Sequence, residues 1–124
     1  MPGELILVVE DNDNNRLLVR DVLRASGYRV VEAENAEDGL RIAAEQRPAL
    51  ILMDIQLPGM NGIEALRRLR ADPATHEIPV IAVTASAMTQ DRRQILAAGF
   101  DGYQAKPISV KGLLQAIREI VPSR

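Results

Sequence analysis

Five short apolar runs recur along the chain, each followed by a stretch in which apolar residues return at helical spacing. The runs are Leu5 to Val9, Arg29 to Ala33, Leu50 to Met53, Pro79 to Val83 and Gly102 to Ala105. Runs this short and this apolar suit strands buried on both faces. The helical stretches between them supply the crossovers that parallel strands require. The repeat (βα)5 therefore predicts an α/β architecture, with helices covering both faces of a parallel five-stranded sheet.

Right-handed crossovers leave only a few topologies. The flavodoxin-like three-layer sandwich, with strand order 2-1-3-4-5, is one of them. It sets the first and third strands side by side at a switch point, where open α/β sheets bind ligands. With 124 residues and no linker, repeat or low-complexity segment, one domain over 1–124 is expected.

The helices follow from periodicity and capping. The first is expected from about Asn14 to Ala25, with Leu18, Val22 and Ala25 on its apolar side, Asp13 as N-cap and Gly27 as stop. Asn35 caps a second, through Gln46, that carries Ala36, Leu40, Ala43 and Ala44 on one side and ends before Pro48. Pro58, Gly59 and Gly62 mark a loop before a third helix, which includes Ile63, Leu66 and Leu69 and stops near Asp72-Pro73. A fourth, from about Ala87 to Ala98, has a weak apolar face and is closed by Gly99. The last runs from about Ser109 to Ile120, with Val110, Leu113, Leu114, Ile117 and Val121 at helical spacing.

Polar residues stand at the ends of four of the strand-like runs: Glu10-Asp11, Asp54, Thr84 and Lys106. In a parallel sheet these ends converge on one edge. Three carboxylates at close range repel, and a divalent cation relieves that cost. An oxygen-only set with open positions suits Mg²⁺, or Mn²⁺ in its place. Lys106 could reach over the edge to pair with a phosphoryl oxygen, and the Thr84 hydroxyl could hydrogen-bond one. Simpler roles stand beside these. Asp11 and Asp13 could cap a helix, Asp54 end a strand and Lys106 be a solvated loop residue, while Thr84 competes with Ser86 as a helix cap. Pro107 leaves a cis Lys106–Pro107 bond open.

Composition narrows the function. Acidic and basic residues are interleaved at a net charge of −2, which argues against direct nucleic-acid binding. There are no cysteines and one histidine, so thiolate zinc sites, cysteine nucleophiles and histidine-rich metal centres are excluded. No basic leader and no membrane-length apolar run are present, so a soluble, cytoplasmic protein without membrane partners is expected. An Mg²⁺-dependent phosphatase or phosphotransferase would want a second acid two residues after Asp54, where Gln56 stands. A flavin carrier would need a Ser/Thr/Gly-rich phosphate loop and aromatics, and EDNDNN with 2% aromatics offers neither.

The stretches LILVVEDN, ALILMDIQLPGMNG, PVIAVTA and AAGFDGYQAKPIS, in this order and spacing, resemble the receiver domain of two-component response regulators over essentially the whole chain. The wording around Asp54 and Lys106 is similar to single-domain cell-cycle and phosphorelay regulators and to receiver modules of hybrid kinases. The resemblance implies that Asp54 accepts a phosphoryl group. It implies that Asp11 binds Mg²⁺ directly, Glu10 directly or through water, and Gln56 through its backbone carbonyl. Lys106 and Thr84 would hold the phosphoryl group, with Thr84 and Tyr103 as the switch pair. Glu10 departs mildly from the aspartate common at its place. Gln56 and Ser86 lie where the family varies and influence hydrolysis, so the lifetime of the phosphoryl group is left open.

The implied donor is a histidine kinase or histidine phosphotransfer protein. The implied output is a face made by the fourth helix, fifth strand and fifth helix; Thr89, Gln90, Asp91, Arg92 and Arg93 are too polar for deep burial there. No DNA-binding segment follows Val121-Pro122-Ser123-Arg124, so output is expected through a protein partner or through domains beyond this sequence.

Overall fold

The computed structural model describes residues 3–85 and 89–121, the side chains of 89–92 excepted. Five strands and five helices alternate: β1 Leu5–Val9, α1 Asp13–Ala25, β2 Arg29–Ala33, α2 Ala36–Gln46, β3 Leu50–Asp54, α3 Gly62–Ala71, β4 Val80–Thr84, α4 Thr89–Ala97, β5 Gly102–Ala105 and α5 Val110–Ile120. All strand pairs are parallel, and the order is β2-β1-β3-β4-β5, the expected flavodoxin-like arrangement. No described helix is long and apolar enough to cross a membrane. The expected helix start at Ala87, the cap candidate Ser86, the side chains of Thr89 to Arg92 and the terminal Pro122-Ser123-Arg124 lie outside the described residues.

Strand side chains alternate between two cores. Leu7, Val9, Ile51, Met53, Val80 and Ala82 face α2, α3 and α4, where Ile42, Leu66, Leu69 and Ile95 meet them. Ile6, Val8, Leu50, Leu52, Ile81 and Val83 face α1 and α5 through Val19, Leu23, Leu113 and Ile117. The central strands β3 and β4 are buried throughout, whereas every residue of β5 is half-buried.

Two features of α1 differ from expectation. The cap is Asn12, which has extended backbone angles and accepts from the Asn15 N–H; Asp13 is already helical and lies in the first turn. The buried stripe is Arg16, Val19 and Leu23, while Leu18 is 48% exposed, Val22 half-buried and Ala25 exposed. An arginine heads the buried stripe because acceptors surround its guanidinium, a circumstance that apolar periodicity does not register.

Smaller shifts have equally local causes. On α2, Gly39 and Ile42 join Ala36 and Ala43 inside, and Leu40 and Ala44 are half-buried. A Cβ at Gly39 would lie 2.8 Å from a Val9 methyl, so the missing side chain lets α2 settle onto β1. Gly62 opens α3 instead of forming a turn; a Cβ there would lie 2.7 Å from the Asp54 carbonyl oxygen. β3 and β4 extend through Asp54 and Thr84, one residue past the expected ends, and β4 begins at Val80 because Pro79 has no N–H to donate. Ser109 caps α5, whose Leu113 and Ile117 are buried while Val110 is 44% exposed.

Candidate functional site

Strand register builds the site. Val9 pairs with Met53, Asp54 with Val83 and Thr84 with Ala105, so Glu10, Asp54, Thr84 and Lys106 all reach the carboxyl edge of the sheet. Glu10, Asp54 and Thr84 are buried, and Asp11 is exposed. Glu10, Asp11 and Asp54 each bring a carboxylate oxygen into one cluster, all within 4.8 Å of one another. The Lys106 ammonium lies 2.9 Å from Glu10 Oε1 and 2.9 Å from Asp54 Oδ2, bridging the two buried acids.

Backbone donors complete the set. The Gln56 N–H donates to Asp54 Oδ1 at 2.9 Å, and the Asn12 N–H donates to Glu10 Oε2 at 3.1 Å. The Lys106 N–H donates to the Thr84 carbonyl at 2.8 Å, tying the end of β5 to that of β4. The Lys106–Pro107 bond is cis. Tyr103, three residues before Lys106, is half-buried and packs against the core beneath α2, α3 and α4.

Burial penalises the Glu10 charge and raises its pKa from 4.5 to about 7; Asp54 adds to the rise, while Lys106 and the Asn12 N–H oppose it. Burial also works against the Lys106 charge, but its hydrogen bonds to Glu10 and Asp54 prevail and lift its pKa above the usual lysine value. Glu10 therefore holds a proton easily in the absence of another cation. The donor set is oxygen only, acidic and open to solvent at Asp11, and it fits a hard divalent cation.

Sequence reasoning missed Arg16. Its Nη1 donates to the Glu10 carbonyl at 3.0 Å, its Nη2 to Asp13 Oδ1 at 2.6 Å and its Nε to Glu32 Oε1 at 3.2 Å. The available signal was Asp13 three residues before it, at ion-pairing distance on a helix. Asn12 was missed as well, although an asparagine just before a helical stretch is itself a capping signal.

An open parallel sheet that gathers carboxylates and one lysine at its switch point defines a ligand-binding α/β class. Within that class the chain matches the response regulator receiver domain over residues 6–118, and it belongs to that family. It is 45% identical over 113 residues to the polar-differentiation response regulator DivK of Brucella anthropi, covering 91% of this chain and 92% of that one. The receiver domain of the sensor histidine kinase PA1611 from Pseudomonas aeruginosa PAO1 superposes with a TM-score of 0.89 at 38% identity, covering 98% of this chain and 99% of that one. That structure holds a magnesium ion in its active site cleft. A putative response regulator from Chloroflexus aurantiacus J-10-fl superposes at 0.91 with 28% identity, over 98% and 99% of the two chains. Receiver domains are signalling switches of two-component systems, working with histidine kinases or phosphotransfer proteins and with downstream effectors.

Proposed function

We propose that the chain, as one receiver domain over 1–124, is a phospho-accepting switch that takes a phosphoryl group from a phosphohistidine onto Asp54. The observation that carries this reading is the buried Asp54 carboxylate, bridged by Lys106 to Glu10 within the three-carboxylate cluster. Glu10, Asp11, Asp54 and the Gln56 carbonyl would hold Mg²⁺, or Mn²⁺. When bound, the ion would offset charge on the phosphoryl oxygens during in-line transfer.

An Asp54 carboxylate oxygen attacks phosphorus, forming an O–P bond as the P–N bond of the donor histidine breaks. The departing imidazole nitrogen keeps the electron pair and takes a proton from solvent. The acyl phosphate adds one negative charge at the sheet edge. Lys106, already against Asp54, turns its ammonium to a phosphoryl oxygen, and the Thr84 hydroxyl donates to another. Tyr103 moves inward behind Thr84, and the α4-β5-α5 face changes for a protein partner. Water attack slowly reverses the modification, at a rate set in part by Gln56 and Ser86. The product is the modified chain itself, so the protein is a self-modifying switch with no separate substrate to turn over. A cytoplasmic location belongs to the same proposal.

The test is incubation with acetyl phosphate and Mg²⁺, followed by intact-protein mass measurement. One phosphoryl group is expected on the wild type and none on Asp54→Asn. Persistent labelling of that variant would overturn the assignment.

A further inference from the structure

Arg16 lies outside the carboxylate cluster yet is tied to it by one bond. Its side chain is 11% exposed, although it sits on the first turn of a surface helix. Three of its donors are used on three separate pieces of chain: the Glu10 carbonyl that follows β1, Asp13 in the first turn of α1 and Glu32 in β2. Glu34 stands at 3.9 Å. A lysine could serve one of these acceptors at full strength, whereas a planar guanidinium serves several at fixed angles.

The bond to the Glu10 carbonyl is the informative one. The Glu10 N–H donates to the Ala33 carbonyl, so the peptides on either side of the Glu10 Cα are both held, one by β2 and one by Arg16. That fixes the direction in which the Glu10 side chain leaves the backbone toward Lys106. It also fixes where the chain carries Asp11 immediately afterwards. Arg16 faces Asp13, Glu32 and Glu34, so its charge is matched by its own carboxylates, whereas the ammonium that touches Asp54 comes from Lys106.

We propose that Arg16 is a positioning residue for the acidic pair: its guanidinium locks the Glu10-Asp11 turn in the geometry that binds the divalent cation. The inference rests on the reading that this cluster binds Mg²⁺. Partners one step behind metal ligands typically carry about 10- to 100-fold in affinity when removed. Arg16 acts through a backbone carbonyl, so the lower end of that range is expected.

The experiment is an Mg²⁺ titration followed by NMR of backbone amides, with the Glu10 carbonyl carbon observed in the metal-free protein. Four proteins are compared: wild type, Arg16→Met, Arg16→Lys and Arg70→Met. Arg70 is the control, an arginine that also bridges elements, donating to the Ile78 carbonyl at 2.7 Å and to Asp101 at 2.9 Å, among residues that flank β4 and β5 at their starts. The expected result is that Arg16→Met shifts the Glu10 carbonyl and the Asp11 and Asn12 amides before any metal is added, and weakens Mg²⁺ about tenfold. Arg16→Lys falls between it and the wild type, and Arg70→Met, though destabilised, binds Mg²⁺ as the wild type does. Unchanged affinity in Arg16→Met, or full affinity in Arg16→Lys, would overturn the positioning role. Equal weakening in Arg70→Met would reduce it to general destabilisation, which also overturns it. Should Arg16→Met not fold, Arg16→Lys and Glu32→Gln carry the same comparison. Failure of the wild type to bind Mg²⁺ would instead count against the metal reading itself.

Discussion

The β1–α1 junction and the α4–β5 side meet at one lysine but are built differently. At the junction, Glu10 is held through its N–H, its carbonyl and both carboxylate oxygens, by Ala33, Arg16, Asn12 and Lys106. On the other side, every residue of β5 is half-buried, and Leu96 of α4 is 42% exposed while its neighbour Ile95 faces the core. One region is pinned at every polar atom of Glu10, and the other lies nearer the surface. A site that holds opposed charges suits the first arrangement, and under the proposed function a face that responds to an added charge suits the second.

Core substitutions give the largest test of that contrast. Leu52→Ala, in fully buried β3, should cost about 3 kcal/mol in urea unfolding, while Leu96→Ala should stay within about 0.5 kcal/mol. Comparable losses would mean that α4 is seated as firmly as the centre of the sheet. Native-state hydrogen exchange should likewise show amides of α4 opening well before those of β1 and β3.

The pH dependence tests the anchored side. Glu10 binds its proton more tightly in the fold, with a pKa near 7 against 4.5. Its stabilising contribution is therefore fully present below pH 4.5 and is lost as pH rises through about 7. Mg²⁺ affinity should run the other way, rising roughly tenfold per pH unit below that midpoint and levelling above it. A flat affinity across this range would mean that Glu10 takes no part in binding. Smaller shifts should follow at the partners: Lys106→Ala, which removes a lowering influence, should raise the Glu10 midpoint, and Asp54→Asn, which removes a raising one, should lower it. Carbon-detected titration of the Glu10 carboxyl reads both.

Much of this was legible in the sequence because the sheet is parallel and buried, so its strands stand out as continuous apolar runs. β1, β2 and β5 fall on the expected residues, and the strand order is the expected one among the few that the repeat allows. The convergence of Glu10, Asp11, Asp54 and Lys106 was legible for the same reason. The face of α1 was not. A stripe headed by arginine breaks the apolar pattern, and the acceptors that make its burial tolerable lie on β1 and β2, distant in sequence. The double pairing of Lys106 with Glu10 and Asp54 was equally hidden, since it depends on the register of β5 against β4.

The contrast between the two regions is tested most directly by backbone NMR shifts with and without Mg²⁺ and a phosphoryl mimic such as beryllofluoride. Beyond the site loops, the shifts should extend through Tyr103 and β5 into α4 and α5, while β2 and the C-terminal half of α1 stay still. Shifts confined to the site, or running chiefly into β2 and α2, would contradict the account.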